Sequence, residues 1–525
     1  MRDAVGGGNP MTGAVWVADL NLVKQPARCC LLVAVIIPAL LAITCDARSD
    51  EGVAQVHVRR TNGPLRIHPS NPRYLCDRDG RAAFLAGHEV FGDLQDRAWG
   101  SSGVLDWDRY LDFAQARGLN YLRNWIIWST GFGADAVPER RATPMPYART
   151  GPGLAADGGP RFDLDKWDDE FWSRLHYRAR AAGERGVYVS VMLFELFGFL
   201  WNAGPAGRTL WDANVLHEGN NVNGAFVRDT DGNGIAFFTL EDPAVVERQK
   251  AFIRKAVETL NDLDNVVWEL GNELPTGPEN VLWMREMSRC LRECESGKPS
   301  RHPLLVSAGQ IVPGLWDPKK RSFGHRILSS EEILSINPDC YAVGGTSEYD
   351  WTGGDPPLAQ TVCPAIPAMA DRDHLGWTGP SDNSAVNNGS MAWTILTRGY
   401  AGFCYFDSPG PTVNEPPALE NARYNVGAVC RLAERVSDLA KLVPRNDMAG
   451  TGFCLADPGN EYIVWSPKAA PFTVHGMVPG ATYGLEWFLT QTHEWHGADS
   501  LKMRESSHEF QPPESQVVLY LRRER

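Results

Sequence analysis

The sequence predicts an α/β chain: a (β/α)8 barrel followed by a small all-β sandwich. Three observations carry this. From about residue 81, short apolar runs alternate with longer helix-like stretches, the pattern of parallel strands joined by helical crossovers. Eight such runs fit within about 330 residues, the span of an enlarged barrel. Beyond Arg445 the helical pattern stops and short strands with turn signals take over.

Eight strands are expected: Ala83 to Gly87, Tyr121 to Trp125, Val187 to Leu193, Asn265 to Leu270, Leu304 to Ser307, Tyr341 to Val343, Ala365 to Met369 and Gly402 to Phe406. Pro367 sits awkwardly in the seventh, because proline lacks the N–H that a central strand needs. The clearest helices are Trp107 to Arg117, Asp168 to Arg185, Ala244 to Leu263 and Val281 to Glu295. Thr130 to Gly159 and Trp201 to Asp242 follow strand ends and read as long loops at the barrel rim.

Before the barrel, residues 1–47 read as a leader and 48–80 as a short β preamble; the barrel is expected over 81–445 and the sandwich over 446–525. The apolar run from Leu31 to Ile43, flanked by Lys24 and Arg28, is short for a membrane span and fits the core of a signal peptide. Export to the periplasm or medium is therefore expected, with no span left after removal of the leader. Cys45 offers lipid attachment as an alternative, although Thr44 departs from the small residue usual before it. Eight of the 11 cysteines lie beyond the leader in scattered positions that suggest buried small residues and no disulfide framework.

A net charge of −13 argues against nucleic acid or an anionic membrane as partner. It tolerates a neutral glycan, whereas a polyanionic one would require a local basic patch. Asp229, Asp231 and Asn233 open like a Ca2+ loop, but the twelfth position is Leu240, so the ligand spacing fails and a plain turn is expected. No cofactor or metal is expected.

The most informative stretch is Asn265-Val266-Val267-Trp268-Glu269-Leu270-Gly271-Asn272-Glu273-Leu274-Pro275. An apolar strand runs into a glycine, an adjacent amide and carboxylate, and a proline that ends pairing. This delivers an acid to the C-terminal rim, where barrel enzymes keep their chemistry. The alternative is a helix N-terminus favouring the Glu273 charge.

This motif resembles the acid/base signature of the clan of retaining glycoside hydrolases built on (β/α)8 barrels. Similar stretches are Ile67-His68-Pro69-Ser70-Asn71-Pro72-Arg73-Tyr74, Gly118 to Arg123, Asn220-Asn221-Val222-Asn223-Gly224, Asp262 to Val267 and Asp371 to Gly376. Together they look like exported bacterial cellulase-like proteins, over roughly residues 65–440. The tail resembles the small β domain, described as collagen-binding, that often follows such barrels. The resemblance implies a carbohydrate substrate, Glu273 as acid/base and a carboxylate nucleophile closing strand seven. The familiar glutamate is absent there; Asp371 is the first choice, then Asp373, with Glu348 as outside candidate. Arg123 matches the basic residue behind the nucleophile, and a buried arginine needs a carboxylate partner. Asn272 would bond a sugar hydroxyl. Strand-end position makes His88, Glu89, Trp125, Trp128, Glu195, His374 and Asp407 candidates for lining the cleft. The competing class is a catalytically silent carbohydrate-binding or adhesion protein on the same scaffold.

Overall fold

In the computed structural model the described residues are 60–89, 93–96, 104–131, 141–196, 210–224, 235–272, 274–307, 312–317, 322–324, 332, 335–337, 343–344, 367–372, 384–406 and 417–524. They belong to one unit, His57–Arg525. Val56, the leader, the 229–233 turn and the 201–209 stretch lie outside them.

Eight parallel strands form the barrel: β1 Leu85–Glu89, β2 Tyr121–Trp125, β3 Tyr188–Glu195, β4 Val266–Asn272, β5 Leu304–Ser307, β6 Val343–Gly344, β7 Met369–Arg372 and β8 Gly402–Phe406. Their hydrogen-bonded order is β6-β5-β4-β3-β2-β1-β8-β7, so β8 returns to pair with β1. Each strand lies beside its neighbour in sequence, and the two end strands, β6 and β7, come back against one another. This is the strand order of a (β/α)8 barrel.

Side-chain alternation explains why short apolar runs suffice. Leu85, Tyr121, Tyr188, Val267, Leu305, Met369 and Cys404, all near the starts of their strands, converge in one buried cluster. Their immediate neighbours, such as Ala86, Leu122, Val189, Trp268, Val306, Ala370 and Phe403, pack outward into the main core with the helices. The preamble supplies three short antiparallel strands, Arg66–Ile67, Leu75–Cys76 and Ala82–Ala83. Its Leu65 and Leu75 join the inner cluster and close the N-terminal end of the barrel. The preamble is also tied far forward along the chain. Asn71 Nδ2 donates to the Ala440 carbonyl at 2.8 Å, and the buried Tyr74 hydroxyl donates to that of Leu442 at 3.4 Å.

The helices are α1 Trp107–Arg117, α2 Asp169–Glu184, α3 Pro243–Leu260, α4 Pro278–Glu295, α5 Ser384–Thr397 and α6 Pro417–Arg435. Asp106, Asp168 and Asp242 cap the first three by accepting first-turn N–H groups. Pro243 and Pro278 open α3 and α4, because the first helical turn leaves N–H groups without intrahelical partners. Both helices therefore start earlier than their apolar periodicity suggests. Gly118 closes α1 at φ 78, a left-handed conformation that glycine adopts without steric cost.

Two elements differ from expectation. Strand seven begins at Met369, with Pro367 ahead of it, so the proline is spared from the ladder and Asp371 lies within the strand, in register with Cys404. The expected rim loop at 130–159 contains part of a hairpin, Tyr147–Leu154 paired with Pro160–Trp167. The Asn220 to Asn223 motif docks this hairpin. Asn220 Oδ1 accepts from Ala156 N at 2.8 Å, and Asn223 Oδ1 from Leu164 N at 2.7 Å. Asn221 Nδ2 donates to His217 O at 2.9 Å within its own loop.

The tail forms β9 Val443–Pro444, β10 Cys454–Asp457, β11 Glu461–Ser466, β12 Phe472–His475, β13 Thr482–Leu489, β14 Glu494–Lys502, β15 Ser507–Phe510 and β16 Val517–Arg523. One sheet runs β9-β10-β11-β16-β13-β14, and β12 pairs with β15. Tyr462, Val464, Leu519 and Leu521 face the small sheet in a core of their own with Phe472, Val474 and Phe510. The alternate residues Leu455, Ile463, Trp465, Phe488, Val518 and Tyr520 join the main core of the barrel. Trp393 of α5 meets the Phe488 ring with centroids 5.3 Å apart. Glu461 is buried here and accepts from the Ser437 N–H and the Tyr520 hydroxyl.

Candidate active site at the strand ends

The barrel interior between β2, β3 and β4 carries a buried polar network that reaches the end of β4 at Asn272. Arg123 Nε donates to Glu269 Oε2 at 2.9 Å and to Oε1 at 3.1 Å, and Nη2 also reaches Oε1. The two side chains are 4% and 1% exposed, so little solvent screens the pair. Ser190 on β3 donates to Glu269 Oε2 at 3.0 Å. Burial first, and then the Glu269 charge, hold the Tyr121 phenol well above its usual pKa. Arg123 Nη2 also donates to Asn272 Oδ1 at 3.0 Å. A guanidinium can only donate, so the Asn272 oxygen must face it and the amide NH2 is turned the other way. The Arg123 guanidinium lies 5.5 Å from the Trp125 ring centroid.

Gly271 makes this strand end possible. A Cβ there would lie 2.3 Å from the Phe194 carbonyl oxygen of β3. Only a glycine lets β4 approach β3 so closely just before Asn272.

Of the sequence candidates, Arg123 and Asn272 are brought together. Trp125 lies beside them and is buried. Glu195 is fully buried at the end of β3, in register with Asn272. Glu89 ends β1 in register with Arg123. Asp371 is two residues beyond Met369 on β7.

Two candidates belong elsewhere. His88 does not line a cleft: it is fully buried against the helical layer, its ring 5.2 Å from Tyr110 and 6.0 Å from Tyr405. Its strand position alternates with the inward ones, which sends it to the outer face. Trp128 lies past the strand end, donates its indole N–H to Leu193 O and packs among Phe194, Tyr147 and Phe252. It is a core residue. Glu273, Glu348, Asp373, His374, Asp407, Asp229, Asp231 and Asn233 lie outside the described residues.

Glu269 was not among the candidates, although a signal for it exists. It is the one charged residue in an otherwise apolar strand, and a charge in a buried strand requires a partner. Cys76, Cys290, Cys404, Cys430 and Cys454 are buried free thiols; burial pushes Cys290 up to about 12. Among the described residues no helix is long and apolar enough to cross a membrane.

Residues 143–297, from the docked hairpin to the end of α4, match the model of a family described as a domain of unknown function, DUF6298. No curated protein matches the chain. The fold is that of a (β/α)8 barrel with a C-terminal β domain. It is shared with a solved structure titled glycoside hydrolase, at 14% identity and a TM-score of 0.55, over 88% of this chain and 97% of that one. It is likewise similar to a glycoside hydrolase family 5 structure from Bacteroides vulgatus, at 12% identity and a TM-score of 0.54, over 88% and 94% of the two chains.

Proposed function

We propose that the protein is an exported glycoside hydrolase that cleaves glycosidic bonds in an oligosaccharide or polysaccharide with net retention. The observation that carries this reading is the anchoring of Asn272. It is the last residue of β4, held through Oδ1 by Arg123 of β2, and the next residue in the chain is Glu273. A rigid strand end followed directly by a carboxylic acid is what a general acid at a barrel rim requires. The fold shared with structures titled glycoside hydrolases supports the same reading.

In this mechanism Glu273 protonates the leaving oxygen while a strand-seven aspartate, Asp371 or Asp373, attacks the anomeric carbon. Water then releases the sugar with Glu273 as base. The turned-out amide of Asn272 donates to a sugar hydroxyl. The Arg28-flanked leader directs export. The test is hydrolysis of a glycan panel by the purified protein, with Glu273→Gln as control. Turnover by the parent and its loss in the variant support the reading; equal turnover by both, or none on any glycan, overturns it.

A further inference from the structure

The turn of the hairpin is met by two arginines where one carboxylate serves only one of them. Arg149 is fixed: it donates to both oxygens of the buried Asp157, to Pro160 O at 2.9 Å, and lies 3.9 Å from the Phe162 ring centroid. Asp157 also accepts from the Gly159 N–H at 3.0 Å. Arg141 is half-buried and makes no hydrogen bond or ion pair with any described residue. Yet it reaches the same spot. A Cβ on Gly159 would lie 2.3 Å from Arg141 Nη1 and 2.6 Å from Arg149 Nη1. The two cations meet at this glycine, and among the described residues no carboxylate pairs with Arg141, in a chain of net charge −13.

The pair sits on the side of the barrel that carries Asn272. Ala142 N donates to Thr130 O, five residues past the end of β2. Thr143 pairs with Asp96 in the loop that leaves β1.

We infer that Arg141, held beside Arg149 at Gly159, forms an anion subsite for the carboxylate or sulfate group of an acidic glycan. The inference rests on the glycan-hydrolase reading for the kind of ligand, and on the arginine geometry for its charge. The uncommitted Arg141 fork suits a planar carboxylate or a sulfate ester, which accept paired N–H donors, and the neighbouring Arg149 charge adds attraction. Asp157 compensates Arg149 alone, so the Arg141 charge is the one a bound anion neutralises.

The test is calorimetric titration of the full chain carrying Glu273→Gln, so that ligands survive. The probes are a galacturonic acid oligomer, a sulfated galactan oligomer and a neutral galactan oligomer of equal length. At least one anionic oligomer should bind more tightly than the neutral one, and less tightly as salt rises. Which of the two binds separates carboxylate from sulfate recognition. Adding Arg141→Gln should weaken that binding tenfold or more while leaving neutral binding and Tm unchanged or Tm higher. Gly159→Ala should weaken it as well, because the added Cβ would lie 2.3 Å from Arg141 Nη1 and force that guanidinium to move. Unchanged anionic binding in Arg141→Gln overturns the inference, as does no preference for either anionic oligomer. Salt-sensitive, Arg141-dependent binding in a protein without hydrolytic activity leaves the subsite standing and removes the hydrolase reading. Hydrolysis of neutral glycans without anionic preference does the reverse.

Discussion

Glu269 and Arg123 form a two-pronged ion pair inside the barrel, and the same guanidinium holds the Asn272 side chain by its oxygen. One carboxylate thus sets the orientation of a second residue it does not touch. Removing it breaks a buried, hydrogen-bonded ion pair, which costs about 3–5 kcal/mol. Glu269→Ala is expected to lose stability of that order in urea titration, and Glu269→Gln less. In the proposed enzyme both should lower turnover, because Arg123 then loses the carboxylate that fixes the position from which it holds the Asn272 oxygen.

Loss of the acid at Glu273 is expected to lower turnover by about a hundredfold to ten-thousandfold. In Glu273→Ala, azide should restore activity on a substrate with an activated leaving group, where no acid is needed. NMR of the first-formed anomer should show retention; the inverted anomer excludes the double displacement.

Glu295 gives the fold an acid-sensitive point. Burial raises its pKa, but hydrogen bonds from His302 and Trp268, with the nearby Arg292 charge, outweigh this and hold the carboxyl below its ordinary 4.5. Its folded value is depressed, so the stabilisation is present above about pH 4.5 and is lost as pH falls through the folded value. Glu295→Gln is expected to lower Tm at pH 7 and to flatten the acid limb of the Tm–pH curve. A variant curve parallel to the parent's would contradict this.

Removing the tail after Arg445 would uncover Leu455's partners in the barrel core, along with the face met by Ile463, Trp465, Phe488, Val518 and Tyr520. Exposed apolar patches of this kind drive aggregation. The truncated barrel is expected in the insoluble fraction, or with weakened near-UV circular dichroism. The tail's support of the barrel is a matter of shared core, with Glu486 bound to Arg435 of α6.

Sequence periodicity made most of the barrel legible. The runs at Tyr121 to Trp125, Leu304 to Ser307 and Gly402 to Phe406 are strands at those bounds. Apolar runs report burial, and burial is what these strands share. Strand seven was displaced because Met369 to Arg372 carries two charged residues, while the more apolar Ala365 to Ala368 precedes it. The hairpin at Tyr147 was illegible for a different reason. Its glycines, prolines and arginines read as loop, and its docking depends on asparagines about 60 residues away in sequence. At the site, Arg123 and Asn272 follow from strand-end position. His88 fails on parity alone, since one residue's shift along a strand exchanges the inner face for the outer.

The ties from Asn71 to Ala440 and from Tyr74 to Leu442 impose an order on biogenesis. The preamble strands cannot settle until nearly the whole barrel has followed them from the ribosome. Loop closure over such separations slows folding. In the exported enzyme proposed above this delay is useful: the polypeptide stays threadable during passage, and the segment after α6, arriving last, latches the preamble into place.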